Sequence, residues 1–153
     1  MKLRRLEELP GLVKGRKVVL ANGCFDILHV GHLRHLQGAR QLGDVLVVAV
    51  NSDRSVRAIK DEGRPILDEN ERVALVAALR SVDYVVVFDE PDVYHVLDVL
   101  QPAVHAKGTD YTEHSVPERD KVLAYGGVVR VTGDAKDHST RGMIERILEK
   151  AGK

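Results

Sequence analysis

The most informative segment is Asn22-Gly-Cys-Phe-Asp-Ile-Leu-His-Val-Gly-His32, which lies between a short apolar run at 17–21 and a helical pattern that continues to about Leu42. A β-branched run that passes through a glycine-containing loop into a helix is the first half of a strand-helix-strand unit. Such a loop leaves the carboxyl end of its strand, where open α/β sheets bind ligands. The 22–32 segment therefore predicts both a parallel sheet and the place of its ligand site.

Two histidines at the start of that helix carry the predicted chemistry. His29 and His32 are three residues apart, a spacing that lets both side chains converge on one ligand. Gly31 leaves room for a ligand to approach the backbone, and the helix N-terminus offers N–H groups and a partial positive charge for phosphate. Imidazole N–H groups can stabilise the charge that develops on phosphate oxygens and on departing pyrophosphate. Polar surface at a helix start is the alternative, and would be the better explanation for either histidine alone.

Short apolar runs alternate with helical stretches from Lys17 to the C-terminus. This alternation is typical of a parallel sheet covered by helices on both faces, and short valine-rich runs are typical of buried parallel strands. The fold class is accordingly α/β. The predicted strands are Lys17 to Ala21, Val45 to Val50, Tyr84 to Phe88, Ala103 to Ala106 and Val128 to Thr132.

Polar residues at fixed spacings predict where helices begin. Asp68 followed by Glu71 is a capping box that opens a helix through Arg80. Ser115 followed by Glu118 is the same pattern, and two glycines at 126 and 127 would close that helix. Each box pairs a side-chain acceptor with an otherwise unsatisfied N–H group, so the prediction rests on local chemistry alone.

Composition limits the kind of protein. The 153 residues, 44% of them hydrophobic, are those of one globular domain, 1–153, with an N-terminal helical extension at 1–15. Lysine plus arginine and aspartate plus glutamate number 23 each, so the chain lacks the overall positive charge of nucleic-acid or anionic-membrane binders. A single cysteine excludes an intrachain disulfide and suits a reducing compartment. With no apolar run typical of a signal peptide or a membrane span, we expect a cytoplasmic protein.

The longest irregular piece, 52–67, follows a predicted strand and is expected at the ligand edge of the sheet. Asp53 could bind sugar hydroxyls or a water on magnesium, with a simple turn aspartate as the alternative. Lys60 and Arg64 could close over phosphates, and a solvated charged loop explains them equally well. Arg72 lies early in a helix, where the dipole disfavours a cation, so it is either held for a ligand or part of a salt bridge.

Two later irregular pieces, 107–114 and 133–138, also follow predicted strands. Lys107 beside Gly108 would let a phosphate reach an ammonium group and the backbone together. The neighbouring pair 110–111 could contact a ligand or simply shape the turn. Both pieces therefore join the 52–67 piece as candidate parts of one site.

Two further helices are predicted, one with Pro91 in its first turn and a last one that begins near Ser139 and has an apolar face. Ser139 and Thr140 form a cap pair whose hydroxyl and N–H groups could hold the β and γ phosphates of a nucleotide. Helix capping alone is the alternative.

The run from Gly23 to Asp26, followed by His29-Val-Gly-His32, resembles the signature of the cytidylyltransferase-like nucleotidyltransferases. The similarity extends along nearly the whole chain and is greatest to the D-glycero-β-D-manno-heptose 1-phosphate adenylyltransferases, the C-terminal domain type of the bifunctional heptose kinase/adenylyltransferases. It implies a single Rossmann-like, doubly wound, five-stranded parallel sheet. The other matching pieces are Val50-Asn-Ser-Asp53, Lys60, Arg64-Pro65, Glu71-Arg72, Lys107-Gly-Thr-Asp-Tyr111 and Ser139-Thr140.

The resemblance also implies an activity: transfer of AMP from ATP to D-glycero-β-D-manno-heptose 1-phosphate, with release of pyrophosphate, to form ADP-heptose for lipopolysaccharide or related glycans. Mg²⁺ would be bound through the nucleotide phosphates, with no metal ligand from the protein. The implied partners are these small molecules and a second copy in a homodimer, with no nucleic acid and no membrane.

Residue roles follow from the same resemblance. The implied catalytic residues are His29, His32 and Lys60, with His32 the stronger candidate for stabilising the transition state. The implied nucleotide-binding residues are Gly23, Cys24, Phe25, Asp26, Gly31, Lys107, Gly108, Ser139, Thr140 and Arg141. The implied substrate-binding residues are Asn51, Asp53, Arg64, Arg72, Asp110 and Tyr111. Within this set we interpret Cys24 as a small packing residue, because nothing in the mechanism needs a nucleophile.

Alternatives remain open at this point. Arg141 stands where the relatives usually have a second threonine, which alters the expected phosphate contacts. Glycerol-3-phosphate cytidylyltransferases and flavin or other adenylyltransferases share the His-x-Gly-His element, but 133–140 lacks the Arg-Thr-x-Gly-Ile-Ser-Thr-Thr run of the former. A nucleotide-binding sensor is the non-enzyme alternative, and the intact histidine pair argues against it. A dinucleotide-dependent oxidoreductase would need Gly-x-Gly-x-x-Gly after the first strand, and that motif is absent.

Overall fold

The computed structural model describes residues 1–135 and 138–152. In this part of the chain five parallel strands form one sheet of order β3-β2-β1-β4-β5. The order reverses between β1 and β4, so the predicted α/β, doubly wound parallel sheet is confirmed. The strands are β1 Val18–Gly23, β2 Val45–Asn51, β3 Tyr84–Phe88, β4 Val104–Lys107 and β5 Val128–Val131.

Helices cover both faces of the sheet and bury two apolar layers. Leu36 of α2 and Val76 of α4 pack on one face, and Leu97 of α5 and Val122 of α6 pack on the other. Each of these side chains contributes about 1.5–3 kcal/mol through burial. The helices are α1 Leu9–Leu12, α2 Val30–Arg40, α3 Asp53–Ile59, α4 Glu69–Ala77, α5 Tyr94–Leu100, α6 Arg119–Ala124 and α7 Thr140–Ala151, with a 3₁₀ turn at Leu6–Glu8.

The N-terminal segment lies along the edge of the sheet. Leu3 forms a parallel bridge with Val85 of β3, and the N–H group of Arg4 donates to the carbonyl of Val85 at 2.9 Å. The predicted helical extension at 1–15 thus contains an extended piece before its 3₁₀ turn and α1. No helix among the described residues is long and apolar enough to cross a membrane.

The capping box of α4 is confirmed. The N–H group of Glu71 donates to Asp68 Oδ1 at 2.9 Å, and the N–H group of Asp68 donates to Glu71 Oε2 at 3.1 Å. The helix ends at Ala77, three residues before the predicted Arg80. Its start was therefore predicted more accurately than its end, since only the start has side-chain partners nearby in sequence.

The predicted helix start at Ser115 is wrong. The hydroxyl oxygen of Ser115 accepts from the N–H group of Thr112 at 2.8 Å, which closes a turn, and α6 begins only at Arg119. Pro117 explains the difference, because a residue that precedes proline is pushed out of the helical region and Val116 is such a residue.

Two other helix predictions also need correction. Pro91 is not in the first turn of α5, which begins at Tyr94; the Asp92 carboxylate accepts from the N–H group of Tyr94 at 3.2 Å. The piece 52–67, predicted to be irregular, contains α3, whose N-cap Ser52 accepts from the N–H group of Ser55 at 3.1 Å. Of the predicted irregular piece 133–138, residues 136 and 137 lie outside the described residues.

Candidate active site

The candidate site lies where the order of the strands reverses, between β1 and β4. β1 and β4 are neighbours in the sheet, so the 22–32 segment and the turn after Lys107 leave adjacent strands at the same edge. An open sheet has a crevice at such a switch point, because the helices on either side diverge from it. The sequence motifs that follow separate strands are thereby brought to one edge.

The two histidines at the start of α2 stack on each other. Their ring centroids lie 3.9 Å apart with an angle of 25° between the planes. His29 Nδ1 accepts from the N–H group of Gly31 at 3.1 Å, and the N–H group of His29 donates to His32 Nδ1 at 3.3 Å. Because both Nδ1 atoms accept, each neutral ring carries its proton on Nε2. The backbone contacts thus fix the orientation of both rings at the helix start.

The residues before the histidines form a tight, partly strained turn. Phe25 has a φ of 51° and Ile27 a φ of 52°, both in the left-handed region that side chains rarely adopt. A Cβ on Gly23 would lie 3.3 Å from the Phe25 ring, so the glycine lets that ring fold back. Burial raises the pKa of the Cys24 thiol, which keeps it protonated and suits our interpretation of it as a packing residue.

The carboxylate of Asp26 binds the 60–67 loop. Oδ2 accepts from Arg64 Nε at 2.9 Å and from the N–H group of Ile66 at 2.8 Å, and Oδ1 accepts from the N–H group of Leu67 at 3.0 Å. Burial opposes ionisation of this side chain, but the three hydrogen bonds together hold its pKa below the ordinary 3.8. Asp26 is therefore a buried anion bound by the protein itself.

Arg72 is a second buried link between the same segments. The whole residue is 0% exposed. Its Nη1 donates to the carbonyl oxygens of Cys24 at 2.8 Å and Asn51 at 2.7 Å, and its Nη2 donates to Asp53 Oδ1 at 2.9 Å. Nε donates to the carbonyl of Leu67 at 3.0 Å. The structure thus gives Arg72 a supporting position beneath the surface, where it joins the ends of β1 and β2 to the loop.

Asn51 and Asp53 are engaged with the same support. Asn51 is buried, and its Nδ2 donates to the Ser55 hydroxyl at 2.9 Å. Asp53 stays partly exposed, and its carboxylate is shared with the Arg72 guanidinium. Of these two predicted substrate-binding residues, only Asp53 keeps a side chain at the surface.

The last residue of β4 is a cation held between two partners. Lys107 Nζ lies 3.6 Å from Glu118 Oε1 and 4.8 Å from the centroid of the Tyr111 ring. A Cβ on Gly108 would meet nothing within 4 Å, so the backbone is open there. Asp110 is exposed at the same turn. The structure therefore brings these four predicted residues together at the β4 end of the crevice.

The start of α7 reaches the loops on the other side. Ser139 is its N-cap and accepts from the N–H group of Gly142 at 2.9 Å. The Thr140 hydroxyl donates to the carbonyl of Asp26 at 2.6 Å, and Arg141 forms an exposed ion pair with Asp61. α7 is thus tied at its N-terminus to both the 22–32 segment and the 60–67 loop. Lys60, the C-cap of α3 in that loop, is exposed.

The sequence did not single out two residues at the centre of the switch point. His105 of β4 is completely buried, and its Nε2 lies 2.8 Å from Oδ1 of Asn22, the residue that opens the 22–32 segment. Burial, with Lys107 and His35 adding to the effect, lowers the pKa of His105 to about 3, so this ring is neutral. The only available signal was a histidine inside an apolar strand, which is not specific.

Comparison with known proteins identifies the family. The family model described as cytidylyltransferase-like matches residues 20–142. The chain is 46% identical over 156 residues to the Bifunctional protein HldE of Geobacter metallireducens, which covers 99% of this chain and 32% of that protein. A protein of the same name from Citrifermentans bemidjiense is 49% identical over 135 residues, covering 88% of this chain and 28% of that protein. The chain therefore spans about a third of the length of the curated relatives it matches.

Solved structures with the same fold support this family assignment. The lipopolysaccharide core biosynthesis protein of Thermoplasma volcanium superposes with a TM-score of 0.65 at 34% identity, covering 76% of this chain and 94% of that chain. Pantothenate synthetase of Thermus thermophilus has a TM-score of 0.62 at 16% identity, covering 94% of this chain and 67% of that chain, and shows the fold alone. Fold and site define a nucleotidyltransferase domain. The chain belongs to the cytidylyltransferase-like family, as its resemblance predicted.

Proposed function

We propose that this chain transfers AMP from ATP to D-glycero-β-D-manno-heptose 1-phosphate and forms ADP-heptose and pyrophosphate. The stacked pair of His29 and His32, with both Nδ1 atoms held by backbone N–H groups, is the observation that carries the proposal. Similarity to the HldE proteins and to a lipopolysaccharide core biosynthesis protein supports the sugar phosphate as acceptor.

The reaction is a displacement at the α-phosphorus. A phosphate oxygen of the sugar phosphate attacks that phosphorus, the bond from it to the bridging oxygen of the β-phosphate breaks, and pyrophosphate leaves with the electron pair. Phosphoryl transfer needs positioning and neutralisation of charge rather than a protein nucleophile. The Nε2–H groups of His29 and His32 position the phosphates and stabilise, by hydrogen bonding, the oxygens on which negative charge develops.

Other residues bind the ends of the substrates. The Ser139 and Thr140 cap at the start of α7 offers N–H groups to the β and γ phosphates, and Lys60 and Arg64 add positive charge from the 60–67 loop. Lys107 lies at the β4 end of the crevice, where its ammonium group can also reach a phosphate. We assign Arg72 the role of supporting this arrangement from beneath, given its buried contacts.

Magnesium, in this proposal, binds through the nucleotide phosphates. Residues 1–135 and 138–152 contain no group of three or more histidine, cysteine, aspartate or glutamate side chains placed to hold a metal ion. A hard cation with several water ligands suits phosphate oxygens, and when bound it neutralises their charge. The protein residues then orient the phosphates around it.

The proposal is tested by measuring pyrophosphate release with Mg²⁺ across a panel of acceptors, with ATP and CTP in parallel. We expect release with ATP and heptose 1-phosphate and little with CTP or glycerol 3-phosphate. The His32→Ala variant tests the role of the ring. Its turnover should fall by about 100-fold or more while its ATP affinity changes little, because the hydrogen bond from the ring to the phosphate strengthens as charge develops in the transition state.

Three results would contradict the proposal or one of its parts. Release with CTP and glycerol 3-phosphate would change the substrates but keep the chemistry. Nucleotide binding without any release across the panel would instead favour a sensor module. An equal loss of turnover and ATP affinity in the His32→Ala variant would make that ring a ground-state ligand only.

We further propose that the active protein is cytoplasmic and that this domain forms a homodimer. The family resemblance supports this assembly, and the single cysteine, typical of a reducing compartment, supports the location. Light scattering coupled to size-exclusion chromatography measures the assembly directly, and a mass of one chain at working concentration would contradict it.

A further inference from the structure

Asp26 lies in the middle of the 22–32 segment, yet its side chain is turned away from solvent and is 0% exposed. Its carboxylate accepts three hydrogen bonds from the 60–67 loop, and its backbone carbonyl accepts one from the Thr140 hydroxyl. A carboxylate so occupied repels phosphate and has little capacity left for a ligand. The residue therefore connects three chain segments rather than binding a nucleotide directly.

Arg64 is the partner of Asp26 that stays partly exposed. Its side chain is 16% exposed, and only Nε is used, in the contact with Asp26 Oδ2. Within the described part of the chain Nη1 and Nη2 make no hydrogen bond. A guanidinium held by Nε keeps its two Nη groups as a fork of fixed orientation, the geometry that binds phosphate oxygens. A lysine at this position would offer a single ammonium group without the planar fork.

We propose that Asp26 is a positioning residue that orients the Arg64 fork toward the β and γ phosphates of the nucleotide. The inference rests on the proposed function for the identity of the nucleotide, but not for the identity of the acceptor. It assigns the two residues one joint role, in which the carboxylate acts only through the guanidinium. Fixing the fork before the nucleotide binds reduces the entropy lost on binding.

Titration calorimetry in the presence of Mg²⁺ measures the ATP affinity of the unmodified protein and of the D26N, R64Q and double variants. We expect each single substitution to weaken ATP binding by about 10- to 100-fold, and AMP, which lacks the β and γ phosphates, by less than about threefold. Because Asp26 acts through Arg64, the double variant should bind ATP within about threefold of R64Q alone.

Asp83→Asn is the matched control. Asp83 Oδ2 accepts from the N–H group of Leu46 at 2.8 Å and pairs with Arg40 Nε at 3.1 Å, the same kind of contact at the opposite edge of the sheet. This variant should bind ATP like the unmodified protein. Hydrogen exchange supplies a second readout: D26N should speed exchange at the amides of Ile66 and Leu67 at least about tenfold, and D83N should not.

Three results would overturn the inference: equal weakening of ATP and AMP, a double variant whose loss is the product of the single losses, or unchanged exchange at the 66–67 amides. Removal of a buried charge can prevent folding. If D26N does not fold, the weakening of ATP and AMP binding is compared in R64Q. Absence of transfer to heptose 1-phosphate by the unmodified protein contradicts the proposed function alone, because the calorimetric comparison needs no acceptor.

Discussion

Gly31 shows how closely the histidine pair is packed. A Cβ at this position would lie 2.9 Å from Cε1 and 3.0 Å from Nδ1 of the His29 ring, and 3.4 Å from the Cβ of His138. The Gly31 N–H group also donates to that Nδ1 atom. The glycine is therefore required by the protein's own histidines, in addition to any close approach of a ligand.

Gly31→Ala is expected to separate activity from stability. The new methyl group displaces the His29 ring, so pyrophosphate release should fall by about tenfold or more, while alanine in a helix is favourable by up to about 1 kcal/mol relative to glycine. Gly11→Ala in α1, where a Cβ would meet nothing within 4 Å, is the control and should leave activity unchanged. Unchanged activity together with an unchanged melting temperature in Gly31→Ala would show that the ring position is unimportant.

At the scale of elements, α4 links a local sequence signal to the site. Its capping box fixes where the helix begins, and this start places Arg72 in the early turns beneath the loops. The guanidinium then joins the carbonyl groups at the ends of β1 and β2. The capping box of α4 therefore has a second effect, because it also sets the position of the buried Arg72 guanidinium.

Asp68→Ala removes this cap and is expected to lower the free energy of unfolding by about 1 kcal/mol, because the N–H group of Glu71 loses its acceptor. Urea denaturation measures the change. Asn70→Ala, on an exposed position of the same helix, is the control and should change stability by less than about 0.5 kcal/mol. Equal effects of the two substitutions would contradict a role for the capping box.

For the molecule as a whole, one sheet separates two apolar layers, and the chain winds outward from β1 in both directions. This arrangement brings the loops that follow β1 and β4 together over the centre of the sheet. It also buries polar side chains that lie near the carboxyl ends of these strands, among them His105. The stability of the fold is therefore linked to the proton affinity of that residue.

The free energy of unfolding should fall as the pH is lowered from 7 to 5. Burial lowers the pKa of His105 from 6.5 to about 3, so between these values the unfolded chain binds a proton that the folded chain does not. This contribution is fully present above pH 6.5 and decreases by up to about 1.4 kcal/mol per pH unit below it. Burial also lowers the pKa of His35, which adds in the same direction. Urea denaturation at pH 7, 6 and 5 should show a shallower slope for His105→Gln, and equal slopes would contradict this prediction.

Elements whose signals are local could be predicted from the sequence. Apolar runs of strand length predicted all the strands within two residues at either end, and the Asp68 and Ser139 caps predicted two helix starts. The histidine pair was also visible, since both residues belong to one helix start. Local signals failed at Ser115, where the same capping pattern was overridden by Pro117 two residues later.

The residues that support the site from beneath could not be predicted from the sequence, because their partners are distant along the chain. Arg72 bonds to Cys24, 48 positions away, and Asp26 binds the amide of Leu67, 41 positions away. His105 meets Asn22 across 83 positions, because the order of the strands makes β1 and β4 neighbours. Caps and periodicity depend on groups within one or two turns, whereas these partners depend on sheet order and burial. The motif thus predicts a phosphate site, and the fold decides which of its charges face the ligand and which hold the protein together.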